Sequence, residues 1–189
     1  MLNFRSMGIF LNAASPFLSL FKKLAHIVEF RKFKDAVHRN PQDHHLRARF
    51  AKYCLNHYFK DSPSQVHVVE AVNQFENIVH SEVLDLEVYY LMGKYYQGKD
   101  DKKARDVYRA GIKRYNEFVA KSVEFRHTYV ETGFMIALNL LALESNNADP
   151  ELVQFFKNIR RTYLKQFLEN RTEMNLETKG SSNEEKVTG

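Results

Sequence analysis

The sequence predicts an all-α fold: antiparallel helical hairpins, about seven helices in all, stacked as a short α-solenoid. Three observations carry this expectation. Apolar residues recur three and four apart along most of the chain, and no run of period-two alternation is bounded by turns. Seven Gly and four Pro leave room only for few, short loops. Ser-Pro, Asp-Pro or a lone Asp stands ahead of several apolar-periodic stretches, where helix caps belong.

The first helix is expected to start at Ser15-Pro16, a cap followed by proline in the first turn, and to end near His38. "NPQD" (residues 40–43) breaks it, and Asn40 or Asp43 can cap a second helix carrying Leu46, Phe50, Tyr53, Cys54, His57 and Tyr58 on one face. Ser62-Pro63 repeats the cap signal. A third helix follows over residues 64–80, with Val68, Ala71, Val72, Phe75, Ile78 and Val79 inward. Asp85 is expected to cap a helix over residues 86–96, and Asp100 or Asp101 the next, through Ala104, Val107, Tyr108 and Ile112. One longer helix is expected from after Tyr115 to about Glu144. Asp149-Pro150-Glu151 then opens the last, ending near Asn170.

These elements divide the chain into an apolar segment 1–21, a helical repeat domain 22–170 and a polar tail 171–189, which has too little to bury and is expected to be disordered. The run "MGIFLNAASPFLSLF" is 15 residues long, short of the ~20 needed to span a bilayer. It has the apolar core of a signal peptide but no clean A-x-A site, and "KKLAHIVEF" continues as helix. A helix packed on the domain is the expectation, with a targeting segment or a membrane foot as the alternatives.

Charge is distributed in blocks. Residues 22–60 hold ten Lys/Arg against three Asp/Glu, residues 61–101 two against eight, and residues 102–118 six against two. A basic face beside an acidic one follows, either as solvated helix surface or as a site for an acidic partner. The single cysteine, Cys54, excludes an internal disulfide and fits a reducing, cytoplasmic compartment.

The stretch "LMGKYYQGKDDKKARDVYRAG" (residues 91–111) places Leu91 and Tyr95 on one helix and Ala104, Tyr108 and Gly111 on the next. Ala104 lies thirteen residues after Leu91. This resembles the tetratricopeptide repeat, a two-helix hairpin of about 34 residues. Val88 stands where that family has an aromatic, Gly93 sits one place late, and Asn116 occupies a common proline position. The four-then-three spacing returns at Ala71, Phe75 and Ile78, 33 residues upstream, and at Leu152, Phe156 and Ile159, 48 downstream. Phe33 and Ala36 followed by "NPQD" look like the end of an earlier unit. The array is irregular, with about eight extra residues between Cys54 and Ala71.

The resemblance implies a concave groove built by the first helix of each pair, with His45, Lys52, Tyr89, Tyr96 and His127 facing it, and a peptide or helix of a protein partner as its occupant. It does not imply the family's carboxylate clamp, because Gly93 replaces an Asn or basic residue there.

Phosphate-binding glycine motifs, HExxH and GxSxG are absent from the sequence. His44 and His45 are adjacent and point roughly 100° apart on a helix, a poor metal pair. Cys54 and His57 share a helix face, but a small core thiol beside a half-buried His accounts for them. In "FRKFK" (residues 30–34), Phe30 and Phe33 continue an apolar stripe to Val37, so no nucleic-acid partner is expected. The resulting expectation is a non-enzymatic adaptor or scaffold without cofactor or metal. The alternative is a membrane-associated assembly factor using residues 1–23, with weak membrane contact.

Overall fold

The computed structural model describes residues 4–60, 65–81, 85–120, 122–144 and 148–184, and their side chains except at 4–19, 123–127 and 173–184. The described residues form seven helices and no strand: α1 (Phe4–Arg39), α2 (His44–Lys60), α3 (Gln65–Ile78), α4 (Leu86–Tyr96), α5 (Asp101–Val119), α6 (Val123–Glu144) and α7 (Pro150–Glu184). They fall into two compact units, Met1–Ser81 and Glu82–Gly189.

In the first unit, α1 and α2 run antiparallel. His26 meets His57, while Phe33, two turns on, meets Phe50. Asp43 is the residue that caps α2: its Oδ1 accepts from the Leu46 amide at 2.9 Å. The Asn40 side chain instead donates to the Ala36 carbonyl at the end of α1. α3 returns along α2, pairing His67 with His57 and Gln74 with Arg47. Ala48, Phe50, Ala51, Cys54 and Leu55 of α2 and Val68, Ala71, Phe75 and Ile78 of α3 are buried in this core.

One polar chain ties the unit together. Arg47 donates to the Pro41 carbonyl and to Gln74 Oε1, at 2.8 and 2.7 Å. Gln74 in turn donates to Glu70 at 2.6 Å, and Glu70 faces Lys34 of α1 at 3.6 Å. Gln74 is buried, and having both ends of its amide satisfied is what makes that position tolerable for a polar side chain.

In the second unit, helices approach through glycines. A Cβ on Gly93 of α4 would lie 2.5 Å from Tyr108 Cδ1, so only glycine leaves room for that ring. Gly111 of α5 backs onto Tyr89 of α4 and Ile136 of α6, and Gly133 of α6 onto Ile159 of α7 and Tyr115 of α5. These pairs run antiparallel from α4 through α7, and α6 touches α4 as well as α5. Asp100 caps α5, accepting from the Lys103 amide at 3.0 Å, and Asp149 caps α7 through the Glu151 amide at 2.9 Å.

Three element boundaries and one cap differ from the sequence expectation. α1 begins at Phe4 and passes through Pro16 rather than starting there; a proline removes one intrahelical hydrogen bond, and the rest of the ladder continues. Asp85 occupies the N-cap of α4 but makes no side-chain cap bond. The helix expected to run on from Tyr115 is divided. The Ala120 and Ser122 amides close α5 onto the Asn116 and Phe118 carbonyls, and Ser122, a residue type favoured at N-caps, precedes α6. α7 continues past Asn170 to Glu184, into the segment expected to be disordered. The Ser62-Pro63 cap lies outside the described residues.

Candidate functional site

The basic block of residues 22–60 folds onto two neighbouring helices, and three of its ten Lys/Arg, Arg49, Lys52 and Lys60, stand around one groove. This groove, of about 500 Å³, lies between α1 and α2. Half-buried rings of Phe33, Tyr53, His26 and His57 line it, and Arg49, Lys52, Asn56 and Lys60 stand around them. The rings are held by stacking. Phe33 lies nearly parallel to the buried Phe50 with centroids 5.5 Å apart, and 5.2 Å from Tyr53. The Tyr53 hydroxyl donates to the His26 carbonyl at 3.1 Å and lies 3.3 Å from His26 Nδ1, which fixes α1 against α2.

His26 and His57, with ring centroids 4.2 Å apart, also border a second cavity of about 500 Å³. Its other walls are Ile27, Phe30, Val66 and His67, with Lys23, Arg31 and Lys34 at its margin. Among the described residues no carboxylate lines either cavity. His67 sits 4.5 Å from His57 and 4.8 Å from Phe30, and neither of its ring nitrogens has a hydrogen-bond partner. Burial, and then the neighbouring His57 and His26, lower its pKa from the ordinary 6.5, so the neutral ring is favoured.

Cys54, on α2 three residues before His57, is fully buried. Burial, reinforced by the Glu70 carboxylate, pushes its thiol far above the ordinary range. A thiol so held has no thiolate with which to attack. No group of three or more His, Cys, Asp or Glu among the described residues is arranged to hold a metal ion.

Of the five residues expected to face a partner, Lys52 lines the α1/α2 groove. His45 is exposed at the start of α2. Tyr89 is buried inside the second unit at 1% exposure, against Gly111, and burial raises its phenol above the ordinary value while Arg114 opposes this. Tyr96 is half-buried at the end of α4, beside Tyr95 and below Lys103. The His127 side chain lies outside the described residues.

Of the residues expected to pack between repeats, Leu91, Ala104, Tyr108 and Gly111 are buried in the second unit, and Ala71, Phe75 and Ile78 in the first. Tyr95 is half-buried with Lys99 over its ring at 3.9 Å. Sequence reasoning did not select His26, Phe33, Arg49, Tyr53, Asn56 or Lys60 as a site. The available signal was the density of cations and aromatics from residue 22 to 60.

The chain matches no protein-family model, no curated protein and no solved structure. Among the described residues, no helix is long and apolar enough to cross a membrane.

Proposed function

We propose that this chain is a non-enzymatic, cytoplasmic protein-interaction module of the tetratricopeptide-like kind, an adaptor or scaffold that holds a segment of a partner protein. The observation that carries this reading is the α1/α2 groove, where aromatic rings meet Arg49, Lys52 and Lys60 and no described carboxylate intervenes. Such a lining favours an acidic segment with an apolar anchor: rings supply contact area, and cations supply steering and register. The antiparallel hairpins and the burial of Leu91, Ala104, Tyr108 and Gly111 support the repeat likeness.

Titration of the full chain with a fluorescent peptide of Glu and Phe, and with its Lys counterpart, tests the reading. The acidic peptide should bind, weaken as salt rises, and lose at least about tenfold in affinity with Arg49→Glu/Lys60→Glu, as reversing charges beside an acidic ligand requires. Equal binding of the two peptides, or binding indifferent to the double substitution, would count against the groove.

A further inference from the structure

α1 is two-sided over residues 20–37. At roughly 100° per residue, Phe33, His26, Val37 and Phe30 share the arc that packs on α2 and α3. On another side, Ile27, Leu20, Leu24, Val28 and Phe21 follow one another across an arc of about 120°. These five stand 49, 54, 49, 50 and 66% exposed. Lys23 and Lys32, both exposed, fall at the two edges of that arc with Lys34 beside Lys23, and the exposed Arg31 and Asp35 follow within the arc where its apolar residues end. Over residues 20–34 five cations face one carboxylate, Glu29.

An apolar stripe edged by lysines is the pattern of a helix lying in the plane of a membrane surface, its apolar side chains among the acyl chains and its cations at the headgroups. Lysine suits the edges because its stem covers apolar surface while its ammonium stays at the polar level. A second copy of this chain would be a poor cover. A two-fold contact through the stripe would set Lys23 and Lys32 of one copy against those of the other, with few carboxylates to offset them.

We propose that the outward face of α1 over residues 20–34 docks on an anionic lipid surface, with α2 and α3 on the far side of the helix. This goes beyond the adaptor reading and uses another face of α1 from the one that lines the α1/α2 groove.

Flotation of the full chain with phosphatidylcholine vesicles, with and without phosphatidylglycerol, tests it. The chain should float with the anionic vesicles, much less with the neutral ones, and less at high salt. Leu24→Glu/Ile27→Glu/Val28→Glu should cut the bound fraction at least about tenfold, with the helical circular dichroism retained. Lys23→Glu/Lys32→Glu, which leaves the apolar stripe intact, should cost on the order of tenfold or more and decides the matter should the triple variant misfold. Leu164→Glu/Phe167→Glu, on an exposed face of α7, should change nothing. Absence of flotation, equal flotation with neutral vesicles, or indifference to the α1 substitutions overturns the proposal. So does a vesicle-blind wild-type dimer that the triple variant turns into monomer.

Discussion

The two units build the same element, an antiparallel run of helices, with a different balance of contacts. In the first, α1, α2 and α3 meet through rings and polar side chains: the Phe33–Phe50 stack, the His26–His57–His67 cluster and the Arg47–Gln74–Glu70 chain. In the second, α4, α5 and α6 close on one another at Gly93 and Gly111, while α6 meets α7 both at Gly133 and through the Phe134–Phe156 and Phe134–Tyr163 stacks. Large rings between helices hold them apart and leave cavities at their edges. Glycine removes the spacer and lets neighbours close. The ring-built α1/α2 contact leaves a groove of about 500 Å³, whereas at Gly93 the α4 backbone closes directly on the Tyr108 ring.

The widest expected effect breaks the second unit. Tyr108→Ala removes a fully buried ring and should cost about 3–5 kcal/mol in denaturant unfolding. Gly93→Ala alone should cost about 1–3 kcal/mol, because its Cβ enters the Tyr108 ring. The double variant should cost less than the two together, since deleting the ring makes the space; simple additivity would refute the close approach as the cause.

The polar chain gives the next effect, in the first unit. Gln74→Leu leaves Arg47 and Glu70 without their shared partner, and a loss of about 1–3 kcal/mol is expected on unfolding. An unchanged midpoint would show that water replaces the amide at no cost.

Acid should separate the units further. The His67 pKa is lowered in the folded chain, so the unfolded chain takes up that proton first as pH falls. The stability associated with the neutral ring is therefore complete above the ordinary value of 6.5 and is lost progressively below it. Urea midpoints measured between about pH 7.5 and 5.5, the range in which histidine titrates, should fall in the wild type and flatten in His67→Phe. An equal slope in the variant would move the acid sensitivity away from this ring.

The smallest effects compare caps. Asp43→Ala and Asp100→Ala each delete an observed cap bond and should cost about 1 kcal/mol. Asp85→Ala, where no cap bond forms, should cost less, by the same melts.

Local signals were readable in the sequence, and register was not. Asp43, Asp100 and Asp149 are legible as caps because capping involves residues two or three apart. The α5/α6 division carries no Gly or Pro, and its turn rests on backbone bonds at Asn116 and Phe118. For the candidate site, Lys52 is the residue that the sequence expectation and the α1/α2 groove share. The ring cluster joins residues 31 and ten positions apart, His26 to His57 and His57 to His67, and it exists only once α1, α2 and α3 have taken their alignment. Tyr89 illustrates the converse. Its repeat position assigns it to a groove, but glycine at 111 draws α5 onto it and encloses the ring.

Cys54 has a practical consequence. The chain carries one thiol, and that thiol is fully buried and held protonated. Alkylating reagents should therefore ignore the native protein and react only as the first unit opens, making Cys54 a built-in clock for that opening. A new surface cysteine, placed in either unit, could carry a dye without any need to remove the old one.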